Sequence, residues 1–155
     1  MTWQDFKTAT TGAWQGTKQL YLEPPPASPL SSPSQLIVRP VANDRFLQFD
    51  YDWTYETETQ SGVFLLGYSD EDHAASAAWV DSFHMSQRVF SCAGNAQESS
   101  VRVLGSYAAP PDPDWGWRIT VRSVSAAALQ IVMHNISPAG QEDLAVQADF
   151  TRRPQ

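Results

Sequence analysis

The chain has a single cysteine, Cys92, in 155 residues. An intrachain disulfide is therefore excluded, and so is a cysteine cluster for a metal. Positive charge is scarce too. Ten Lys and Arg face 17 Asp and Glu, for a formal net charge of -7. Non-specific nucleic-acid binding needs a basic face to displace counterions, and an anionic membrane surface makes the same demand. The start, MTWQDFKTATTG, has neither a basic segment nor an apolar run, so it does not read as a secretory signal. No apolar stretch approaches a membrane span. These absences predict a soluble chain in the cytoplasm. At 42% hydrophobic residues it can bury a core, and its length fits one domain over residues 1–155.

Helical periodicity is almost absent. Trp3 and Phe6 are three apart, and Thr2 can cap a short helix that carries them. After Gly12 the period becomes two, the signature of half-buried strands. In FLQFDYDWTYE, Leu47, Phe49, Tyr51, Trp53 and Tyr55 share one face. In WGWRITVRS, Trp115, Trp117, Ile119 and Val121 do so. Leu129, Ile131 and Met133 form a third such set, and Leu144, Val146, Ala148 and Phe150 a fourth. Further strands are expected near 13–22, 35–41, 62–69, 75–84, 86–93 and 99–106, about ten in all. Turns are expected at Ser69–Asp72, Gly94-Asn95, Pro110–Asp114 and Ser137–Gly140. With no crossover helix between strands, the sheet should be antiparallel, and closure removes its edges. The fold class is thus all-β: an up-and-down antiparallel barrel with a short N-terminal helix. Residues 24–34, PPPASPLSSPS, form a Pro-rich loop, either a cover over a barrel mouth or a plain connection.

The stretch GAWQGT, with Gly12, Trp14 and Gly16, opens the first strand after the short helix. It resembles the Gly-x-Trp of lipocalins and their calycin relatives. That resemblance implies an indole under one barrel end, covered by an arginine from the last strand through a cation–π contact. Here Arg152 lies two residues beyond Phe150 and shares its face, so Gly12, Trp14 and Arg152 are assigned a structural role. The segments Asp44-Arg45-Phe46-Leu47, Leu66-Gly67-Tyr68-Ser69 and Trp79, Asp81 and Ser82 extend the likeness. In that order the chain resembles a bacterial family of calycin-like barrels known only as a domain of unknown function. Asp44 stands where that family has Gly, and Ser69 where it has Asp. The resemblance implies a calycin-like barrel and no established activity.

Aromatics crowd the expected inner faces, so the barrel is either filled by them or encloses one small ligand. Lys18 is in phase with Trp14 and Leu20, and Asp81 alternates with Trp79 and Phe83. Buried charges must be paired or meet a ligand. The leading reading is therefore a cavity for a small apolar or amphipathic molecule. Its expected lining is Lys18, Phe49, Tyr51, Trp53, Trp79, Asp81, Phe83, Trp117 and Met133. The rivals are a filled, self-associating module, which leaves a homodimer open, an enzyme using Asp81 as acid or base, and, from the calycin resemblance, a haem-binding barrel. No cofactor, metal or catalytic residue is assigned. Asp81, Ser82 and His84 do not read as a relay, because on one strand Asp81 faces opposite to the other two. Some calycin-like barrels resembling this one bind haem through a lumen histidine. His134 is in the outward phase, which opposes that role here. His73 sits in the acidic turn SDEDH, which lacks the Gly and distal Glu of a calcium loop. Cys92, without a basic neighbour, reads as a buried structural thiol.

Overall fold

The structure is a computed structural model and describes residues 1–154. A helix α1 (Trp3–Thr10) precedes strands β1 (Gly12–Leu20), β2 (Leu30–Val41), β3 (Phe46–Tyr55), β4 (Glu58–Tyr68), β5 (Ala74–Asp81), β6 (Phe90–Gln97), β7 (Ser100–Tyr107), β8 (Trp115–Ser125), β9 (Ala128–Ile136) and β10 (Glu142–Arg152). Each strand pairs antiparallel with the next, and β1 pairs with β10, so the ten strands close into a barrel without free edges. This is the expected up-and-down architecture. Inner and outer positions alternate along β2, where Ser32, Ser34, Leu36 and Val38 are buried and the residues between them exposed. No helix among the described residues is long and apolar enough to cross a membrane.

The barrel has two unlike ends. At one lie α1 and the short turns 42–45, 69–73, 98–99 and 126–127. Helix α1 starts with a reciprocal cap: Thr2 Oγ1 accepts from the Asp5 amide, and the Thr2 amide donates to Asp5 Oδ2. Its N-terminus is tied to the β4–β5 turn by a 2.8 Å bond from the Trp3 amide to Asp70 Oδ1. Trp3 and Phe6 then face inward and close this end. At the other end, the mouth, lie the longer connections 21–29, 82–89, 108–114 and 137–141.

Four local expectations are corrected. The strand expected over 75–84 stops at Asp81, and its successor starts at Phe90 rather than 86. The Asp81 carboxylate causes the stop, because its Oδ1 accepts the amides of Phe83 (2.8 Å) and His84 (3.2 Å) and diverts them from a ladder. Gly94-Asn95 is no turn. Both residues pair with β5 and β7, and the chain reverses at Glu98-Ser99. A bulge between Leu144 and Val146 buries Ala145 beside Val146 and leaves Leu144 half-buried, out of the face expected for it. The Pro-rich loop is shorter than expected, since residues 30–34 already belong to β2.

Candidate functional site

Gly12 and Trp14 belong to the closed end. The Arg152 guanidinium lies 4.1 Å from the Trp14 ring centroid, and the indole is fully buried. Arg152 also donates to the carbonyls of Ala9 and Thr11, each at 2.8 Å, and so caps the C-terminal end of α1. Nothing in the sequence pattern signals this second task. Gly12 sits at φ +140°, and a Cβ there would come within 2.6 Å of Arg152 Nη1, so only glycine leaves the guanidinium its place. Trp14 Nε1 donates to the Thr10 carbonyl at 2.9 Å. Asp44 has a left-handed backbone, φ 63°, which Asp tolerates better than most residues. Its carboxylate pairs at 2.8 Å with the buried Lys7 ammonium, a contact that glycine there could not make.

The mouth end is assembled by register. Tyr51, Gly62 and Asp81 occupy one row across β3, β4 and β5. Gly62 has no side chain, and a Cβ there would lie 2.2 Å from Tyr51 Oη. The gap lets the Tyr51 ring cross β4, so that its hydroxyl donates to Asp81 Oδ2 at 2.6 Å. Trp79 Nε1 donates to Tyr51 Oη at 2.8 Å, and Trp53 Nε1 to Asp81 Oδ2 at 3.3 Å. Burial and the neighbouring Asp81 charge hold the Tyr51 hydroxyl well above its ordinary pKa, so it stays a proton donor. With the two amides from the following turn, Asp81 accepts four hydrogen bonds and both its oxygens are occupied.

Lys18 lies in the same layer. It is 3% exposed, and its Nζ is 3.5 Å from the Trp53 ring centroid and 5.6 Å from that of Tyr51. Among the described residues the ammonium has no hydrogen-bond or salt-bridge partner. Burial pushes its pKa down to about 7, against an opposing pull from Asp81.

The early end of β5 changes the place of His84. It does not face away from Asp81, because the chain turns over the mouth. The imidazole lies 6.0 Å from Trp53, 5.5 Å from Trp79, 5.0 Å from Phe83 and 5.5 Å from Trp117, ring centroid to centroid. Burial, with the Lys18 charge, pushes its pKa down to about 4, against Asp81. Its Nε2 is sealed from solvent and has no partner, and the same holds for Nε1 of Trp117 and of Trp115. A hydrolytic trio is not assembled, since Ser82 Oγ donates to Gln60 Oε1 at 2.7 Å. The sequence had signalled His84 only as a histidine beside Asp81; its inward turn depended on where the strand ended.

A cleft of about 690 Å³ opens at this mouth, lined by Trp79, His84, Met85, Phe90, Tyr107 and Trp117 among others. A second, of about 520 Å³, lies on the other side of the 82–89 segment and reaches Tyr51 and Asp81. Arg88 borders both. Of the residues expected to line a cavity, Trp79 and Trp117 border the first cleft and Tyr51 and Asp81 the second, while Lys18, Trp53 and Phe83 pack beside them and border neither. Phe49 and Met133 lie deeper, the former 5.6 Å from Phe64 edge-on and the latter in register with Ile119 and Val146. Below the mouth the barrel is filled, with Trp14, Phe49 and Leu47 wholly buried.

His134 faces outward beside Arg118, and His73 is exposed at 2.7 Å from the Tyr68 hydroxyl. Burial pushes the Cys92 thiol up to about 12. Among the described residues no three His, Cys, Asp or Glu side chains converge to hold a metal ion.

In solved structures the same fold recurs. Rv2717c from M. tuberculosis superposes with a TM-score of 0.62 at 10% identity, over 94% of each chain. The S-type phycobiliprotein lyase CPES from Guillardia theta gives 0.61 at 14% identity, over 100% of this chain and 94% of that one. No curated protein matches. A family model matches residues 7–152, so the chain belongs to the family described as "Protein of unknown function (DUF1579)".

Proposed function

We propose that this barrel binds a small, mostly apolar molecule in the cleft at its mouth. The observation that carries the reading is a cleft of about 690 Å³ bordered by Trp79, Trp117 and His84, with two ring nitrogens of those residues buried and unpartnered. Ligand sites fall at roughly 300–1,000 Å³ and combine apolar walls with a few polar groups. Each orphaned polar atom costs about 1–3 kcal/mol, a cost that a ligand supplying the missing partner removes. Trp79 and Trp117, stacked at 5.8 Å and 13°, offer a flat apolar wall. Lys18, Tyr51, Trp53, Asp81 and Phe83 form the layer beneath, backed by Phe49 and Met133. Acid–base catalysis by Asp81 gains nothing from the geometry, because both carboxylate oxygens are already engaged.

A second reading has an observation of its own. The lumen below the mouth is packed, which suits a structural or self-associating module. Native mass spectrometry of freshly purified protein, compared with the denatured sample, separates the two. The binding reading expects an added mass of a few hundred daltons that is lost on denaturation, and lost or weakened in Trp117→Ala. A bare mass, unchanged after incubation with a mixed apolar extract, favours the filled module.

A further inference from the structure

The imidazole of His84 occupies a place built for a flat ring. Four aromatic side chains surround it within 6.0 Å, yet its Nε2 has no partner there. A core position selected for histidine would supply that hydrogen bond. The segment bearing the ring is held by the packing of Phe83 and Met85 on the core and by few hydrogen bonds. Its first residues are fastened by the Ser82 and Asp81 bonds to β4 and to the turn itself. Beyond His84, among the described residues, the hydrogen bond before β6 is that of the Arg88 amide to the Met85 carbonyl, within the segment. A cleft lies on each side of it, Ser86 has a left-handed backbone at φ 54°, and Val89 is 67% exposed.

The polar groups left over around the ring share one character. Asp81 has its four donors. Apart from the His84 ring itself, the groups left over are donors: Trp117 Nε1, which is buried without a partner, and the Lys18 ammonium, which has only the Trp53 face, with Arg88 at the rim. A site whose spare groups are donors and cations calls for a ligand bringing acceptors and negative charge. We propose that the ligand is a flat conjugated molecule carrying an acidic oxygen group, that its ring takes the place of the His84 imidazole against Trp53, Trp79 and Trp117, and that its anion pairs with Lys18. The 82–89 segment then acts as a cover whose own histidine fills the site while it is empty. This inference rests on the mouth cleft being a binding site and adds the ligand's chemistry and depth.

The probes are 2-naphthoate and its neutral counterpart 2-naphthamide, titrated calorimetrically into the wild-type protein, Lys18→Met and His84→Ala. The wild type should favour the acid by about tenfold or more, the worth of a hydrogen bond to a charged group. Lys18→Met should abolish that preference, and His84→Ala should tighten both probes by removing the competing ring. Acid and amide binding equally to the wild type, or a preference that survives Lys18→Met, overturns the inference while leaving the mouth cleft a binding site. Unchanged affinities in His84→Ala overturn the placement beneath the cover. Failure of both probes to bind overturns the inference, and the native mass spectrum then decides the binding reading separately.

A pH series on the wild type keeps the test sharp if a variant fails to fold. The groups facing the site are Lys18 from β1, Tyr51 from β3, Asp81 from β5, Tyr107 from β7, and His84 and Arg88 from the cover. Between about pH 6 and 9 His84, Tyr51 and Tyr107 stay neutral, while Lys18 loses its proton. The acid should therefore weaken across that range by about tenfold or more and the amide should not; parallel curves overturn the pairing with Lys18.

Discussion

The two ends of the barrel treat charge differently. At the closed end Lys7 meets the Asp44 carboxylate and carbonyl at 2.8 and 2.7 Å, and Arg152 meets three carbonyls and an indole face. One buried nitrogen there, Trp3 Nε1, lacks a partner. At the mouth Lys18 has no acceptor, and His84, Trp115 and Trp117 each bury an unpartnered nitrogen. Both ends bury tryptophan, Trp3 and Trp14 at the closed end and Trp53 and Trp79 at the mouth, so burial alone does not distinguish them. What differs is whether polar groups are finished within the chain. Apart from Trp3 Nε1, the closed end is completed by its own residues and serves the fold. The mouth is left incomplete, and unfinished buried donors are the mark by which we assign it to function.

That contrast can be broken from either side. Trp14→Ala should have the largest effect, a loss of about 3–5 kcal/mol in urea unfolding, because a buried indole is replaced by a cavity and Arg152 loses its platform. Lys18→Met should act in the opposite direction. A Lys whose folded pKa is about 7 binds fewer protons than the unfolded chain between about pH 7 and 10.5. Its burial therefore penalises the wild type fully below pH 7, and the penalty fades as pH rises toward 10.5. Lys18→Met should accordingly be more stable by about 1–4 kcal/mol at pH 6 and converge with the wild type in alkali, as followed by denaturation across pH.

His84 gives a smaller effect in a different window. Its folded pKa near 4 lies below the ordinary 6.5, so the unfolded chain takes up its proton first and stability falls as pH drops from 6.5 to 4. His84→Phe should flatten that part of the stability profile measured by thermal melts. Asp44→Asn should cost least, about 1 kcal/mol or less, since the carboxylate is 63% exposed and the pair is screened. An Asp44→Asn loss larger than that of Trp14→Ala would invert the account of the closed end.

Much of the architecture was legible in the chain. The alternation through FLQFDYDWTYE and WGWRITVRS placed β3 and β8, and the helix cap at Thr2 was visible as a residue type in the right place. Arg152 could be set on the inner face by counting from Phe150. What could not be read depended on competition between local bonds. The alternation of Trp79, Asp81 and Phe83 continues past the true end of β5, and nothing in it ranks the Asp81 side chain above a ladder partner for the next two amides. That single choice reverses His84. Gly62 likewise became meaningful only once β3, β4 and β5 were in register, because the room it leaves is filled by a residue 11 positions earlier and spans to Asp81. Leu144 left its face through a bulge, an insertion that period-two counting does not detect.

The most direct test of the contrast uses the six tryptophans of the chain as reporters, through their indole N–H signals in a nitrogen–proton correlation spectrum during titration with 2-naphthoate. The account predicts that Trp117, whose N–H has no partner, shifts most, that Trp53 and Trp79 follow, and that Trp14 at the closed end stays still. Shifts centred on Trp14 or Trp3, with Trp117 unmoved, would contradict the assignment of the mouth as the functional end.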